Sequence, residues 1–259
     1  MPKTIKAVAL AIGAATLAGC AALSVTGGQG EAARASSPMM ARLWELQVDP
    51  AHLDAFRAIG VENITASTRR EPGVLMMHAV QLADDPAQVR VLEVYANQDA
   101  YQKHIETPHF LKYRAASAGM VRSQRLVPVN PVLLCAKGGA IAPDVAQGAM
   151  VRMAVLKIDL AQLDAYIAFL TEEQEASVRL EPGVLMLHSV QYADDPTQIR
   201  LLEVYASREA YQSHIKSPHF LKYKNGTEKM VKSLDLVSTK PIMLAAQSRS
   251  LEEAPFSCL

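Results

Sequence analysis

The sequence predicts an α+β fold of two ferredoxin-like βαββαβ repeats whose sheets pair within one chain. Three observations lead there. Glu71-Pro72-Gly73-Val74-Leu75-Met76 returns as Glu181-Pro182-Gly183-Val184-Leu185-Met186, an offset of 110 residues. The correspondence runs without a gap from Arg42/Arg152 to Ala136/Ala246, with about half of the paired positions identical, so each copy is a small domain rather than a solenoid unit of roughly 20–50 residues. Within each copy the apolar pattern passes from strand alternation to helical spacing and back, in the same order.

The elements follow in turn. Arg42 to Val48 alternates as a strand, repeated by Arg152 to Ile158. Ala51 to Arg69 carries Leu53, Phe56, Ile59 and Ile64 at mixed three- and four-residue spacing, which predicts a helix; its counterpart carries Leu163, Tyr166 and Leu170. Glu-Pro-Gly then stops the helix and turns the chain. Val74 to Leu82 is a strand, Ala83-Asp84-Asp85-Pro86 a turn, and Gln88 to Ala96 a returning strand. Asn97 (Ser207) caps a short helix through Ile105, and Thr107-Pro108 (Ser217-Pro218) caps a second with proline at its first position. Leu126 to Leu134 closes the repeat as a strand. Such a four-stranded sheet carries helices on one face only, so the two copies can bury their bare faces together.

Half of the 259 residues are apolar and a fifth are charged, enough to build a packed core. Lysine plus arginine equals aspartate plus glutamate at 26 each, so the chain lacks the basic field that drives nucleic-acid binding. Three cysteines cannot make a disulfide framework or a four-thiolate zinc site, though Cys135 and Cys258 could pair with each other. Residues 1–19 read as a signal peptide: Lys3 and Lys6 precede an apolar run from Ala7 to Gly19 that is short for a membrane span of about 20 residues. Leu17-Ala18-Gly19-Cys20 resembles the lipobox of bacterial lipoproteins. It implies lipidation at Cys20, export to the periplasmic side and, with Ala21 next, retention at the outer membrane. Residues 20–38 would then be the lipidated cysteine and a flexible Gly-, Ala- and Ser-rich tether. Domain 1 is 39–137, a linker 138–148, domain 2 149–247 and a tail 248–259.

Six of seven histidines fall into repeat pairs, His78/His188, His104/His214 and His109/His219. His109 and His219 stand in the first turn after the proline, where the helix dipole disfavours added positive charge, so they are candidate bases. His104 and His214 lie near the end of the preceding helix, three residues after Tyr101 and Tyr211 on the same face. Together they could hold a hydroxylated ring, as could Phe110 and Phe220. His78 and His188 sit in an apolar strand, in register with Met76 and Val80, as core histidines or pocket walls. Glu93 and Glu203, also within strands, suit ion pairs with Arg90, Arg200 or a histidine. The copies differ at Trp44/Ala154, Leu82/Tyr192, Arg70/Leu180 and Arg125/Asp235, and Trp44 could contact a pocket or fill core. No Gly-x-Gly-x-x-Gly follows a strand and no Walker loop or Gly-x-Ser-x-Gly elbow occurs. The spacing of His104 and His109, with a proline between, is not that of two zinc ligands on one helical turn.

The succession Glu-Pro-Gly-Val-Leu, Ala-Asp-Asp-Pro, Leu-Glu-Val-Tyr-Ala and His-x-x-[Thr/Ser]-Pro-His-Phe-Leu-Lys-Tyr resembles an antibiotic biosynthesis monooxygenase (ABM) domain, over roughly 41–137 and again 151–247. The resemblance implies a dimeric α/β barrel, made here within a single chain as a pseudo-dimer, or in a homodimer. It also implies oxidation of a small phenolic or quinol-type substrate by dioxygen without a bound cofactor or metal. His109 and His219 would then be bases, with His104, His214, Tyr101 and Tyr211 orienting substrate. The same resemblance leaves open a non-catalytic module binding a small ligand or haem, and an isomerase using the same histidines.

Overall fold

The computed structural model describes residues 39–137 and 148–247. Cys20, the proposed signal peptide and tether, most of the linker and the tail with Cys258 lie outside the described residues. Repeat 1 runs β1 (Met40–Val48), α1 (Leu53–Arg70), β2 (Val74–Leu82), β3 (Gln88–Tyr95), α2 (Gln98–His104), α3 (Pro108–Ser117) and β4 (Val121–Ala136). Repeat 2 follows as β5 (Met150–Ile158), α4 (Leu163–Leu180), β6 (Val184–Tyr192), β7 (Gln198–Tyr205), α5 (Arg208–His214), α6 (Pro218–Thr227) and β8 (Val231–Ala246). Two βαββαβ repeats are therefore present as predicted.

Local chemistry sets the boundaries. Asp49 and Asp159 accept from the backbone N–H two residues on, at 2.9 Å each, and begin the 3-10 turns that lead into α1 and α4. The side chains of Asn97 and Ser207 cap α2 and α5, while Thr107 and Ser217 cap α3 and α6 with proline next.

All eight strands close into one antiparallel barrel, in the order β1-β3-β2-β8-β5-β7-β6-β4. The last strand of each repeat is longer than its apolar stretch suggests, because it serves two sheets. The first part of β4 pairs with β1 up to Ala41↔Val129, and the remainder pairs with β6 from Val129↔Tyr192 to Ala136↔Met186. The polar stretch Arg122 to Arg125 is strand despite its composition, because β1 supplies its ladder. In the same way β8 passes from β5 to β2. Each repeat thus finishes in the other's sheet, and the closed barrel leaves no free pair of sheet faces.

The two faces of each strand enter different cores. Inside the barrel, Leu43, Met76, Leu92 and Val94 of repeat 1 pack with Leu134, Val190 and Tyr192. Met153, Met186, Leu202 and Val204 pack there with Val80 and Leu244. On the outer face Met77, Ala79 and Tyr95 meet Ile64 of α1, and Ala154, Leu156 and Ile199 meet Tyr166 and Leu170 of α4. Among the described residues no helix is long and apolar enough to cross a membrane. Cys135 is buried and disulfide-bonded, and the other two cysteines lie outside the described residues.

Candidate active site in each repeat

The Glu-Pro-Gly turn does more than stop a helix. Glu71 follows the last turn of α1, its N–H bonded to Ser67 O at 3.0 Å. Gly73 then passes against α2 so closely that a Cβ there would lie 2.4 Å from Ala100 Cβ, and Gly183 stands to Ala210 at the same 2.4 Å. Only glycine permits this approach, and it carries the glutamate under the α2–α3 corner. One carboxylate oxygen of Glu71, Oε1, accepts from His104 Nδ1 at 2.9 Å and from His109 Nε2 at 2.7 Å. Glu181 repeats the arrangement with His214 at 2.9 Å and His219 at 2.6 Å. Burial alone would push these carboxyls up, but the two imidazole hydrogen bonds and charges outweigh it and hold both below the usual carboxylate value.

An ionised carboxylate can only accept, so the proton positions follow: His104 carries hydrogen on Nδ1 and His109 on Nε2. In its neutral form His104 then has a lone pair on Nε2. That atom is buried and has no hydrogen-bond partner. The ring lies edge-on to Phe110 at 4.8 Å and tilted against Tyr95 at 5.5 Å, centroid to centroid. A carboxylate holding Nδ1 while Nε2 stays free is the orientation of a general base.

The sheet contributes the opposite wall. Arg42 and Glu93 are directly paired across β1 and β3, as are Arg152 and Glu203 across β5 and β7. The Arg42 guanidinium stands 4.2 Å over the Tyr101 ring and 5.0 Å from that of Trp44. Trp44 Nε1–H and Tyr95 O–H both donate to Glu93 Oε2, each at 3.2 Å. Burial raises Glu93 above the usual carboxylate value despite Arg42 and His104, and it pushes the Tyr113 hydroxyl up to about 12. Trp44, Tyr101, His104 and Phe110 thus share one aromatic cluster between sheet and helices, with His109 behind Glu71. In repeat 2 the same cluster holds Tyr211, His214, Phe220 and Arg152, with His219 behind Glu181.

His78 and His188 are elsewhere. They lie on the barrel side of the sheet, rings 5.4 Å apart, and His78 lines a cavity of about 20 Å³, room for roughly one water. Burial pushes His78 down to about 3 and holds His188 well below the usual imidazole value, so both stay neutral. Arg90 and Arg200 line the same cavity, which is why Glu203 pairs with Arg152 instead, at 3.3 Å, and Glu93 feels the charge of Arg42.

Three participants were not visible as site residues in the sequence. Glu71 reads as a helix stop. Arg42 reads as the start of a strand, and only its register opposite Glu93 reveals it. Glu173 sits in the charged run Thr171 to Glu175, yet it is buried and pushed up to about 8 by burial. It accepts from Ser177 Oγ at 2.6 Å and stands 3.6 Å from His214 Nε2. Its helical spacing with Tyr166, Leu170 and Ser177 is the signal that marks it as inward-facing. The donor atoms of Glu71, His104 and His109, and of their counterparts, also lie within 4.8 Å of one another, a spacing open to a metal ion if the imidazole protons were displaced.

The family profile for antibiotic biosynthesis monooxygenase matches residues 39–116 and 149–226. Among solved structures, a candidate monooxygenase from Lactobacillus acidophilus NCFM is 23% identical with a TM-score of 0.75, the match covering 81% of this chain and 96% of that one. A second candidate monooxygenase, from Fusobacterium nucleatum, is 13% identical with a TM-score of 0.72 over 82% and 95% of the two chains. These two likenesses concern the fold. A candidate antibiotic biosynthesis monooxygenase from Bacteroides thetaiotaomicron is 45% identical over 39% of this chain and 97% of its own, with a TM-score of 0.38. Comparison with curated proteins returns no match. Two matched copies span more than half of the sequence, and the chain belongs to the antibiotic biosynthesis monooxygenase family.

Proposed function

We propose that the chain is a cofactor-independent monooxygenase that oxidises a phenolic or quinol-type small molecule with dioxygen in the pocket between sheet and helices. The observation that carries this reading is the Glu71–His104 pair, with its unpartnered Nε2 inside an aromatic cluster. His104 Nε2 takes the substrate hydroxyl proton, and Glu71 steadies the resulting imidazolium. Arg42 faces the anion so formed. The phenolate gives one electron to dioxygen, and the radical pair joins at a ring carbon that bears hydrogen. The peroxide recovers the proton from His104. Loss of the carbon-bound hydrogen to the imidazole then cleaves the O–O bond, leaving a quinone and one water. His109 shares the Glu71 oxygen and holds the carboxylate in place, a positioning role.

The test is oxygen uptake by residues 39–259 over a panel of hydroquinones and polyphenols, with chelator present. Uptake above autoxidation, lowered about 10²–10⁴-fold by His104→Ala combined with His214→Ala, is the expected result. Substrate turnover without oxygen consumption would instead make the chain an isomerase, and binding without turnover a carrier module. The setting we propose is the outer membrane, with Cys20 as lipid anchor facing the periplasm. Labelled palmitate incorporated into the full chain, and lost in Cys20→Ala, would support it; labelling that persists in the variant would sink it.

A further inference from the structure

We infer that the two repeats are not equivalent: repeat 1 holds the pocket that admits a ligand, and repeat 2 has filled the same space with its own side chains, Leu170 and Glu173. The inference rests on the placement of the pocket proposed above and is independent of whether oxygen is consumed there.

Two kinds of observation carry it, one of space and one of polar pairing. Gly60 of α1 and Leu170 of α4 are equivalent positions. Leu170 is fully buried and packs with Ala154, Tyr166, Ile199 and Leu201, so the direction it takes is inward. A Cβ on Gly60 would meet no atom within 4 Å, and Gly60 itself retains partial exposure. The inward direction that Leu170 occupies is therefore open next to the α1 backbone in repeat 1. One turn along the same helix face stand Asn63 and Glu173. Glu173 stands 3.6 Å from His214 Nε2, so its equivalent Asn63 lies on the side of α1 that faces His104.

Polar pairing divides the same way. In repeat 1, Arg42 Nε, Asn63 Oδ1 and His104 Nε2 are buried without partners. These offer one donor and two acceptors, the complement of two neighbouring hydroxyls on an aromatic ring, each donating to one acceptor while one of their oxygens accepts from the guanidinium. In repeat 2, Arg152 Nε pairs with Glu203 at 3.3 Å, and Glu173 replaces the amide and stands against the imidazole. At these three equivalent positions repeat 1 leaves buried polar atoms open, while in repeat 2, whose open buried atom on α4 is Gln174 Nε2, Arg152 Nε and His214 Nε2 each face a carboxylate of their own chain.

The experiment uses diethyl pyrocarbonate, a small acylating reagent for imidazole nitrogen, on the full chain, with labelled histidines mapped by peptide mass spectrometry. Labelling of His104 is expected to exceed that of His214 by about tenfold. Gly60→Leu should lower His104 labelling to the His214 level, and Leu170→Gly with Glu173→Asn should raise His214 labelling towards that of His104. Leu170→Ala with Glu173→Asn serves if the glycine variant does not fold. Equal labelling of the two histidines in the wild-type chain, or faster labelling of His214, overturns the inference. Oxygen uptake by the same proteins reads the proposed chemistry separately: a chain that labels asymmetrically but consumes no oxygen keeps this inference and loses that reading.

Discussion

Repeat 1 and repeat 2 share a frame and differ in what it encloses. Glu71 with His104 and His109, and Glu181 with His214 and His219, agree within 0.1 Å in their hydrogen-bond lengths. The walls around them have diverged. Trp44 and Gly60 stand where repeat 2 has Ala154 and Leu170. Ile64 packs on Ala79 in an apolar cluster, while Gln174 accepts from Ser189 Oγ at 2.7 Å in the equivalent place. Phe56 leans on Tyr113, while Tyr166 hydrogen-bonds Tyr223 at 2.7 Å. The difference teaches that the carboxylate and two histidines belong to the architecture of the corner, while the pocket is written on α1 or α4 and the first strand.

The sharpest break in that comparison would come from the glutamates. Glu71→Ala and Glu181→Ala each strip one carboxylate from a buried and a half-buried imidazole, and each should cost about 3 kcal/mol of stability in denaturant melts. Their effects on catalysis should part company. Glu71→Ala should lower oxygen uptake about 10²-fold or more, while Glu181→Ala leaves most of it. Equal losses of activity would mean that both pockets work.

Glu173 gives repeat 2 a titration that Asn63 cannot give repeat 1. Its folded value is pushed up to about 8 from an ordinary 4.5, so across that window the folded chain holds a proton that the unfolded chain has released. Stability must then fall as pH rises, by about 2 kcal/mol between pH 6 and 8. Denaturant melts at both pH values should show this slope, and Glu173→Gln should flatten it. A slope unchanged in the variant would place the proton elsewhere.

The barrel histidines supply the opposite limb and belong to both repeats. His78 is pushed down to about 3 from 6.5, so below pH 6.5 the unfolded chain takes up a proton that the folded one refuses. Stability therefore falls as pH drops, by about 1 kcal/mol from this group between pH 6.5 and 5.5. His78→Leu should remove that share, and an acid limb of full slope in the variant would refute the assignment.

How far the sequence discloses this molecule depends on the range of the interaction. Strands β1 to β3 and the helix caps are legible because alternation, Glu-Pro-Gly and Thr107-Pro108 act within a few residues. The full length of β4 is not, since Arg122 to Arg125 become strand only through β1, far back in the chain. In the site, the histidines and aromatic residues could be named from motif spacing, but not their assortment into two faces of one sheet. That places His78 and His188 apart from His104. Glu173 was hidden by its charged neighbours, because composition outweighs periodicity over so short a run.

The smallest expected effect probes the aromatic pair at the edge of each cluster. In repeat 2 the Tyr166 and Tyr223 hydroxyls satisfy one another at 2.7 Å, and Tyr166 is fully buried. Tyr166→Phe recreates the Phe56 side chain of repeat 1 and deletes one hydroxyl, leaving the Tyr223 hydroxyl short of a partner. The cost should be about 0.5–1.5 kcal/mol, read as a lowered denaturant midpoint with unchanged slope. The reverse change, Phe56→Tyr, places a hydroxyl towards Tyr113, whose own hydroxyl bonds Ser117. If repeat 1 keeps open space beside Gly60, that added oxygen can be accommodated and Phe56→Tyr should be nearly neutral. A loss as large as that of an overpacked core, about 1–3 kcal/mol, would show instead that repeat 1 is as tightly filled as repeat 2.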